Sequence, residues 1–220
     1  AFGPSAEQIV FLNCPGAVSE DGVRNLVRFV EQGGFLFTTD WALKHVIEVG
    51  FPGTLRYNGK PTADEVVRVE IDAGEDPFLK SLISEKDDPL WWIEGSSYPI
   101  EILDENRVDV LVRSKEVREK YGESPVFTSF DYGKGKVYHM ISHFYLQRTE
   151  TRTLRQTQSS ASYMEEKLCM NEERRMKYDG MGLRETSLGE VESAYSSSAL
   201  MNMVMYEKAS SLNQTIDDEL

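Results

Sequence analysis

Three side chains with reactive groups, Cys14, Asp40 and His143, each follow an apolar run that predicts a β-strand. If those strands are parallel, their carboxyl ends meet at one edge of a sheet, where ligands and catalytic groups gather. A thiol with a histidine base is the pattern of a nucleophilic enzyme, so a Cys14–His143 pair is one hypothesis. The alternatives are that Cys14 is a half-buried apolar residue and that Asp40 caps the helix that follows it.

Other polar and aromatic residues near these positions predict a site for a small polar ligand. The candidate binding residues are Thr39, Asp40, Trp41, His143, Tyr145, Arg148 and Arg152. The arginines are spaced by about one helical turn, which suits either an anionic ligand, an acidic protein segment or a solvated helix face. The aromatic residues could stack on a flat ligand such as a sugar, or pack in the core.

No metal site and no cofactor are predicted. The 3 histidines are scattered without paired acidic residues, and the 2 cysteines, Cys14 and Cys169, are far apart in the chain. The glycines around Lys134 lack the strand-to-helix context of a phosphate loop. We therefore expect no structural zinc.

The composition narrows the classes of partner. The net charge of −13 argues against nucleic acid and anionic membranes, which both bind basic surfaces. No apolar run approaches the roughly 18 residues of a membrane-spanning helix. Two distant cysteines fit free thiols in a reducing compartment, so a cytoplasmic location is expected.

The first part of the chain predicts a strand–helix–strand–helix order. Strand Ile9–Asn13 leads into helix Glu20–Gln32, which Ser19 caps. Strand Phe35–Thr38 then leads into helix Trp41–Val49, with Asp40 at its start. Short connections of this kind give a right-handed crossover and place the two strands in parallel.

The remainder of the chain predicts a hairpin followed by helices. Val126–Phe130 and Lys136–Ile141 flank a glycine-rich turn, and the chain after Ser159 is polar, rich in methionine and poor in strand formers. The predicted fold is α/β, a flavodoxin-like, mostly parallel sheet with an antiparallel edge hairpin and C-terminal helices. We expect an α/β domain over 1–158 and a helical extension over 159–220, through which the chain could form an oligomer.

Several segments together resemble the class I glutamine amidotransferase-like superfamily, and most of all its ThuA-like branch. The resemblance covers residues 5–146 and lies in Ile9–Asn13, Phe29–Gly34, Phe35–Thr38, Glu75–Leu82, Pro125–Phe127, Tyr132–Val137 and Ser142–His143. It implies a flavodoxin-like fold. It also implies a chain truncated at its start, because a first strand and helix usually precede these segments in that superfamily.

The resemblance does not extend to the nucleophile of that superfamily. Amidotransferases carry a Gly-x-Cys-x-Gly elbow after the strand that matches Phe35–Phe37, whereas this chain continues Thr38-Thr39-Asp40-Trp41-Ala42. His143 lies near the position of the catalytic histidine, but Tyr145 stands where a glutamate would orient it. We therefore expect no glutaminase activity.

Two functions fit this sequence. The leading hypothesis is a pseudoenzyme, a non-catalytic amidotransferase-like module that binds or regulates within a larger protein or assembly, with a protein partner or a small polar ligand. The alternative is a ThuA-like small hydrolase or carbohydrate-modifying enzyme with a site near Asp40, Trp41 and His143. Convergent polar groups in one cleft, with a shifted pKa, would favour the enzyme.

Overall fold

The structure is a computed structural model that describes residues 5–72, 90–143, 154–178 and 180–218. The chain forms two compact units, one comprising Ala1–His143 with Asn202–Leu220 and the other Phe144–Met201. The domain boundary expected after residue 158 stays a prediction. None of the helices in the described segments combines the length and apolar character needed to cross a membrane.

The described part of the first unit contains ten strands joined by short helical segments. Its strands are β1 (Ile9–Leu12), β2 (Phe35–Thr39), β3 (Leu55–Tyr57), β4 (Glu65–Arg68), β5 (Glu70–Ile71), β6 (Leu90–Ile93), β7 (Ile100–Ile102), β8 (Asp109–Arg113), β9 (Pro125–Tyr132) and β10 (Gly135–Met140). Its helical segments are α1 (Glu20–Glu31), a π-helical turn (Leu43–Ile47), α2 (Glu48–Gly50) and α3 (Lys115–Tyr121). The single helix predicted over Trp41–Val49 is thus replaced by the π-helical turn and α2.

A six-stranded sheet in the order β1-β2-β10-β9-β8-β5 forms the centre of this unit. β1 and β10 both run parallel to β2, with Ile9 and Lys136 paired to Phe35 from either side. The α/β class and the parallel pairing of the first two strands are therefore confirmed. The predicted cap of the intervening helix also forms, since the Ser19 hydroxyl accepts the Gly22 N–H at 3.2 Å.

β9 and β10 form the predicted antiparallel hairpin, with Tyr132 opposite Gly135. The sheet continues beyond this hairpin, because β8 pairs with β9 and β5 with β8, both antiparallel. The hairpin therefore lies inside the sheet instead of at the expected edge. Its burial agrees with this position, since every residue of Pro125–Phe130 is buried, as in a strand covered on both faces.

The described part of the chain after residue 153 contains four helices. They are α4 (Leu154–Thr157), α5 (Ser160–Glu166), α6 (Glu172–Met176) and α7 (Leu188–Asp218). Within the second unit a β-bridge joins Ser159 to Ser187, and the Ser160 N–H donates to the Thr186 carbonyl at 2.9 Å. The helical character predicted for the C-terminal region is thus confirmed for these residues.

Helix α7 begins in the second unit and ends in the first. In the first unit its residues Met203 and Val204 are buried. Lys208 Nζ donates to the Gly33 carbonyl at 2.6 Å and lies 4.6 Å from the centre of the Phe35 ring. The last turns of α7 therefore pack on the start of β2 and contribute to the core of the sheet unit.

Candidate active site

Three reactive side chains meet at the carboxyl edge of the parallel strands. Cys14 lies just beyond β1, Asp40 just beyond β2 and His143 just beyond β10. One ligand atom from each, the Cys14 sulfur, an Asp40 oxygen and a His143 nitrogen, lies within 4.8 Å of the other two. Because β1, β2 and β10 are parallel neighbours, the sheet itself brings these distant residues together.

Asp40 does not cap a helix, contrary to the sequence-based expectation. The π-helical turn that follows begins without any side-chain cap. The Asp40 backbone adopts a φ of 49°, in the left-handed region, and its Oδ1 accepts the backbone N–H of Tyr98 at 3.1 Å. A short polar side chain tolerates this conformation, and the sharp turn directs the carboxylate toward the cluster.

The Asp40 carboxylate is almost entirely buried, with 3% of the residue exposed. Burial raises the pKa of Asp40 from 3.8 to about 6, although the Tyr98 N–H and the neighbouring His143 side chain act in the opposite direction. A carboxyl group with a pKa near 6 can both take up and release a proton near neutral pH, as a general acid or base requires.

The Cys14 loop is held against the Asp40 turn by a hydrogen bond to the Thr39 side chain and by the close approach of Gly16 to Ala42. The Cys14 N–H donates to the Thr39 hydroxyl at 3.2 Å. Gly16 has a φ of +65°, and a Cβ atom there would lie 2.8 Å from both the Cα and the Cβ of Ala42. Only glycine permits this approach, so Gly16 determines how closely Cys14 lies to Asp40.

The environment of Cys14 does not favour a thiolate in the absence of a cation. Burial raises the pKa of the Cys14 thiol; the Trp41 backbone N–H lowers it, but the nearby Asp40 carboxylate raises it again. Cysteine nucleophiles need the reverse, a pKa lowered by positive charge. The predicted Cys14–His143 pair is therefore close in space, but its thiol is not activated in the usual way.

His143 has a carboxylate partner that the sequence did not reveal. Its Nδ1 lies 2.5 Å from Glu94 Oε2, and the Glu94 N–H donates to the Ser142 hydroxyl at 3.1 Å. The sequence-based view that His143 lacks an orienting acid, because Tyr145 replaces the expected glutamate, is wrong for this reason. Glu94 follows β6, which belongs to a separate two-stranded sheet with β4, so no local spacing linked it to His143.

A stack of aromatic rings adjoins the cluster. Trp41 stacks on Tyr98 with ring centres 5.8 Å apart, and Tyr98 stacks on Tyr57 at 3.9 Å. The Trp41 Nε1–H donates to the Ser96 carbonyl at 2.8 Å, which fixes the indole ring. Trp91, by contrast, is buried in β6 and belongs to the core.

The remaining predicted binding residues have other positions. Thr39 is fully buried, and its hydroxyl supports the Cys14 loop. Tyr145, Arg148 and Arg152 lie outside the described residues. Within the described segments, Cys14, Asp40 and His143 also form a group that could hold a metal ion.

Comparisons with known proteins give distant structural neighbours only. No family model and no curated protein match the chain. A cytoplasmic protein from Salmonella typhimurium is 12% identical, with 66% of this chain and 65% of that chain covered at a TM-score of 0.46. A putative ThuA-like protein from Bacteroides uniformis is 14% identical, with 61% of this chain and 59% of that chain covered at a TM-score of 0.44. A beta-galactosidase from Bacillus circulans sp. alkalophilus is 17% identical, with 61% of this chain and 20% of that chain covered at a TM-score of 0.44. The chain therefore spans less than two thirds of each of these structures.

Proposed function

We propose that this chain is a hydrolytic enzyme that acts on a small polar substrate and uses water as the nucleophile. The observation that carries the proposal is the convergence of Cys14, Asp40 and His143 at one sheet edge, with Glu94 bound to the imidazole. The non-catalytic module expected from the sequence becomes the alternative.

The free energy of folding that this cluster costs favours an enzyme over a binding module. Asp40 is buried with a raised pKa and a strained backbone, and both features cost folding free energy. Groups of this kind cluster in active sites, where the same features prepare a residue for proton transfer. A purely structural edge of a sheet has no need of them.

Water is a better nucleophile here than the Cys14 thiol. Burial and the Asp40 carboxylate disfavour the thiolate, whereas the cluster offers basic oxygen and nitrogen atoms that can bind and deprotonate a water molecule. With Nδ1–H donating to Glu94, the neutral imidazole of His143 carries its lone pair on Nε2. Glu94 thus fixes both the tautomer and the orientation of the ring, as a positioning residue.

The aromatic stack indicates the class of substrate. Trp41 is half-buried and stacks on Tyr98 beside Asp40, and a partly exposed aromatic ring can bind the flat apolar side of a sugar or a similar polar ring. The chain's acidic character makes a strongly anionic substrate unfavourable. A neutral carbohydrate derivative, cleaved at an ester, amide or glycosidic bond, fits these features.

The experiment is a hydrolysis screen with chromogenic esters, amides and glycosides of small sugars, with free glutamine included. We expect turnover of at least one class, with kcat reduced about 100-fold or more by His143→Gln and by Glu94→Gln. His45→Gln, at an exposed position, is the matched control and should retain full activity.

Three results would contradict the proposal. Absence of turnover across the panel would favour the non-catalytic module, and turnover that survives His143→Gln would exclude this cluster as its source. Ammonia release from glutamine that disappears in Cys14→Ala would instead restore a thiol mechanism.

A further inference from the structure

We infer that Cys14, Asp40 and His143 form a binding site for one divalent transition-metal ion, best suited to zinc, with a coordination position left open. The inference deepens the proposed function, because an ion at this position would hold and activate the attacking water. Ion binding itself can be measured without any substrate.

The donor atoms match zinc in kind and number. Sulfur, nitrogen and oxygen from Cys, His and Asp are the common zinc ligands, and three protein ligands with a fourth position for water are typical of catalytic zinc. Tetrahedral zinc with bonds of about 2.0–2.3 Å places its ligand atoms about 3.5 Å apart. The three donor atoms already lie within 4.8 Å of one another, so side-chain movements of about 1 Å close the site.

Two of the three ligands are held by a second group. Glu94 binds His143 Nδ1 at 2.5 Å, so Nε2 would be the metal ligand in the carboxylate–histidine–metal arrangement seen around many zinc ions. The Tyr98 N–H fixes Asp40 Oδ1 at 3.1 Å. Such outer partners orient first ligands and raise their affinity for metal.

The local charge also favours a cation. Two carboxylates, Asp40 and Glu94, and the Cys14 sulfur lie around a single imidazole. Gly16 packs against Ala42 and locks the Cys14 loop beside the Asp40 turn, so the backbone of the site is formed in advance. A thiolate ligand favours zinc and cobalt over magnesium and calcium, which prefer oxygen donors alone.

The test uses the full chain, treated with EDTA, dialysed and titrated with Zn²⁺, Co²⁺ or Mg²⁺. We expect one Zn²⁺ per chain by calorimetry and no binding of Mg²⁺. Co²⁺ should give a thiolate-to-cobalt charge-transfer absorption in the near ultraviolet and intense visible bands of a four-coordinate ion. Cys14→Ser should abolish the charge-transfer absorption, and Glu94→Gln should weaken Zn²⁺ binding by about 10- to 100-fold.

Matched controls separate this site from adventitious binding. Cys169→Ser and His45→Gln alter exposed residues of the same types and should leave both signals unchanged. A cobalt absorption that survives Cys14→Ser, or that Cys169→Ser removes, would overturn the inference. Circular dichroism of each variant reports its fold, and the wild-type comparison of Zn²⁺ with Mg²⁺ decides the matter if a variant fails to fold.

The two proposals fail in different ways. Stoichiometric Zn²⁺ binding with no hydrolysis of any substrate would support the metal site and refute the hydrolase. Hydrolysis that depends on His143, in a protein that binds no Zn²⁺, would support the hydrolase and overturn the metal site.

Discussion

A buried histidine away from the reactive cluster gives the sharpest prediction for pH dependence. His139 lies in β10, fully buried, with Nδ1 2.8 Å from the Thr38 hydroxyl oxygen. Among the described residues its buried Nε2 has no hydrogen-bond partner. Burial lowers the pKa of His139 from 6.5 to about 3, so the folded protein holds this imidazole neutral.

The direction and size of the effect follow from proton linkage. Between pH 6.5 and about 3 the unfolded chain binds a proton at this position and the folded chain does not. The free energy of unfolding therefore falls as pH decreases, by about 1.4 kcal/mol for each pH unit. At pH 4.5, roughly two units below the pKa of His139 in the unfolded chain, this proton uptake should lower the free energy of unfolding by about 3 kcal/mol relative to neutral pH.

Urea unfolding followed by circular dichroism from pH 7.5 to pH 4.5 measures this slope. His139→Gln should remove about 3 kcal/mol of the acid destabilisation, whatever its effect on stability at neutral pH. The control His45→Gln, at an exposed position in the π-helical turn, should keep the wild-type slope. Equal slopes in wild type and His139→Gln would refute the reasoning, since the proton uptake would then occur elsewhere.

Two further predictions concern the site itself. Because the pKa of Asp40 is raised from 3.8 to about 6, its ionisation destabilises the fold as pH rises through this window. In the presence of EDTA, Asp40→Asn should therefore raise the free energy of unfolding at pH 7.5 by up to about 3 kcal/mol, and this gain should vanish near pH 4. Urea titrations at the two pH values measure it, and no gain in stability at pH 7.5 would contradict the prediction. Gly16→Ala should lower the free energy of unfolding by at least twice the loss of about 1–2 kcal/mol expected for Gly53→Ala. Both glycines have a positive φ, but of the two only Gly16 would bring its new Cβ atom into a steric clash, with Ala42. Thermal unfolding compares the two, and equal losses would mean that the Gly16–Ala42 approach is unimportant.

Local chemistry explains what the sequence could predict. The Ser19 cap, helix α1 and the strand pairing β1–β2 depend on neighbouring residues and short connections, and all three form as expected. The common edge of Cys14, Asp40 and His143 follows from parallel strands, which made their convergence a reasonable hypothesis.

Long-range contacts explain what the sequence could not predict. Glu94 contacts His143 from a separate pair of strands. The Tyr98 N–H donates to the Asp40 carboxylate, which the sequence predicts to cap a helix. The two partners lie 49 and 58 residues away along the chain, and no sequence periodicity or motif spacing connects such positions. The position of β9 inside the sheet likewise depends on its pairing with β8, which no local pattern predicts.

The return of α7 to the sheet unit has a consequence for the order of synthesis. Lys208 and its neighbours leave the ribosome roughly 70 residues after β10, a delay of roughly 3–14 seconds at ordinary rates of translation. During that interval Phe35 lacks the residues of α7 that later pack on it. The nascent protein would thus hold all six strands of the sheet while the apolar surface that α7 later covers is still open, and surfaces of this kind are the ones that chaperones bind.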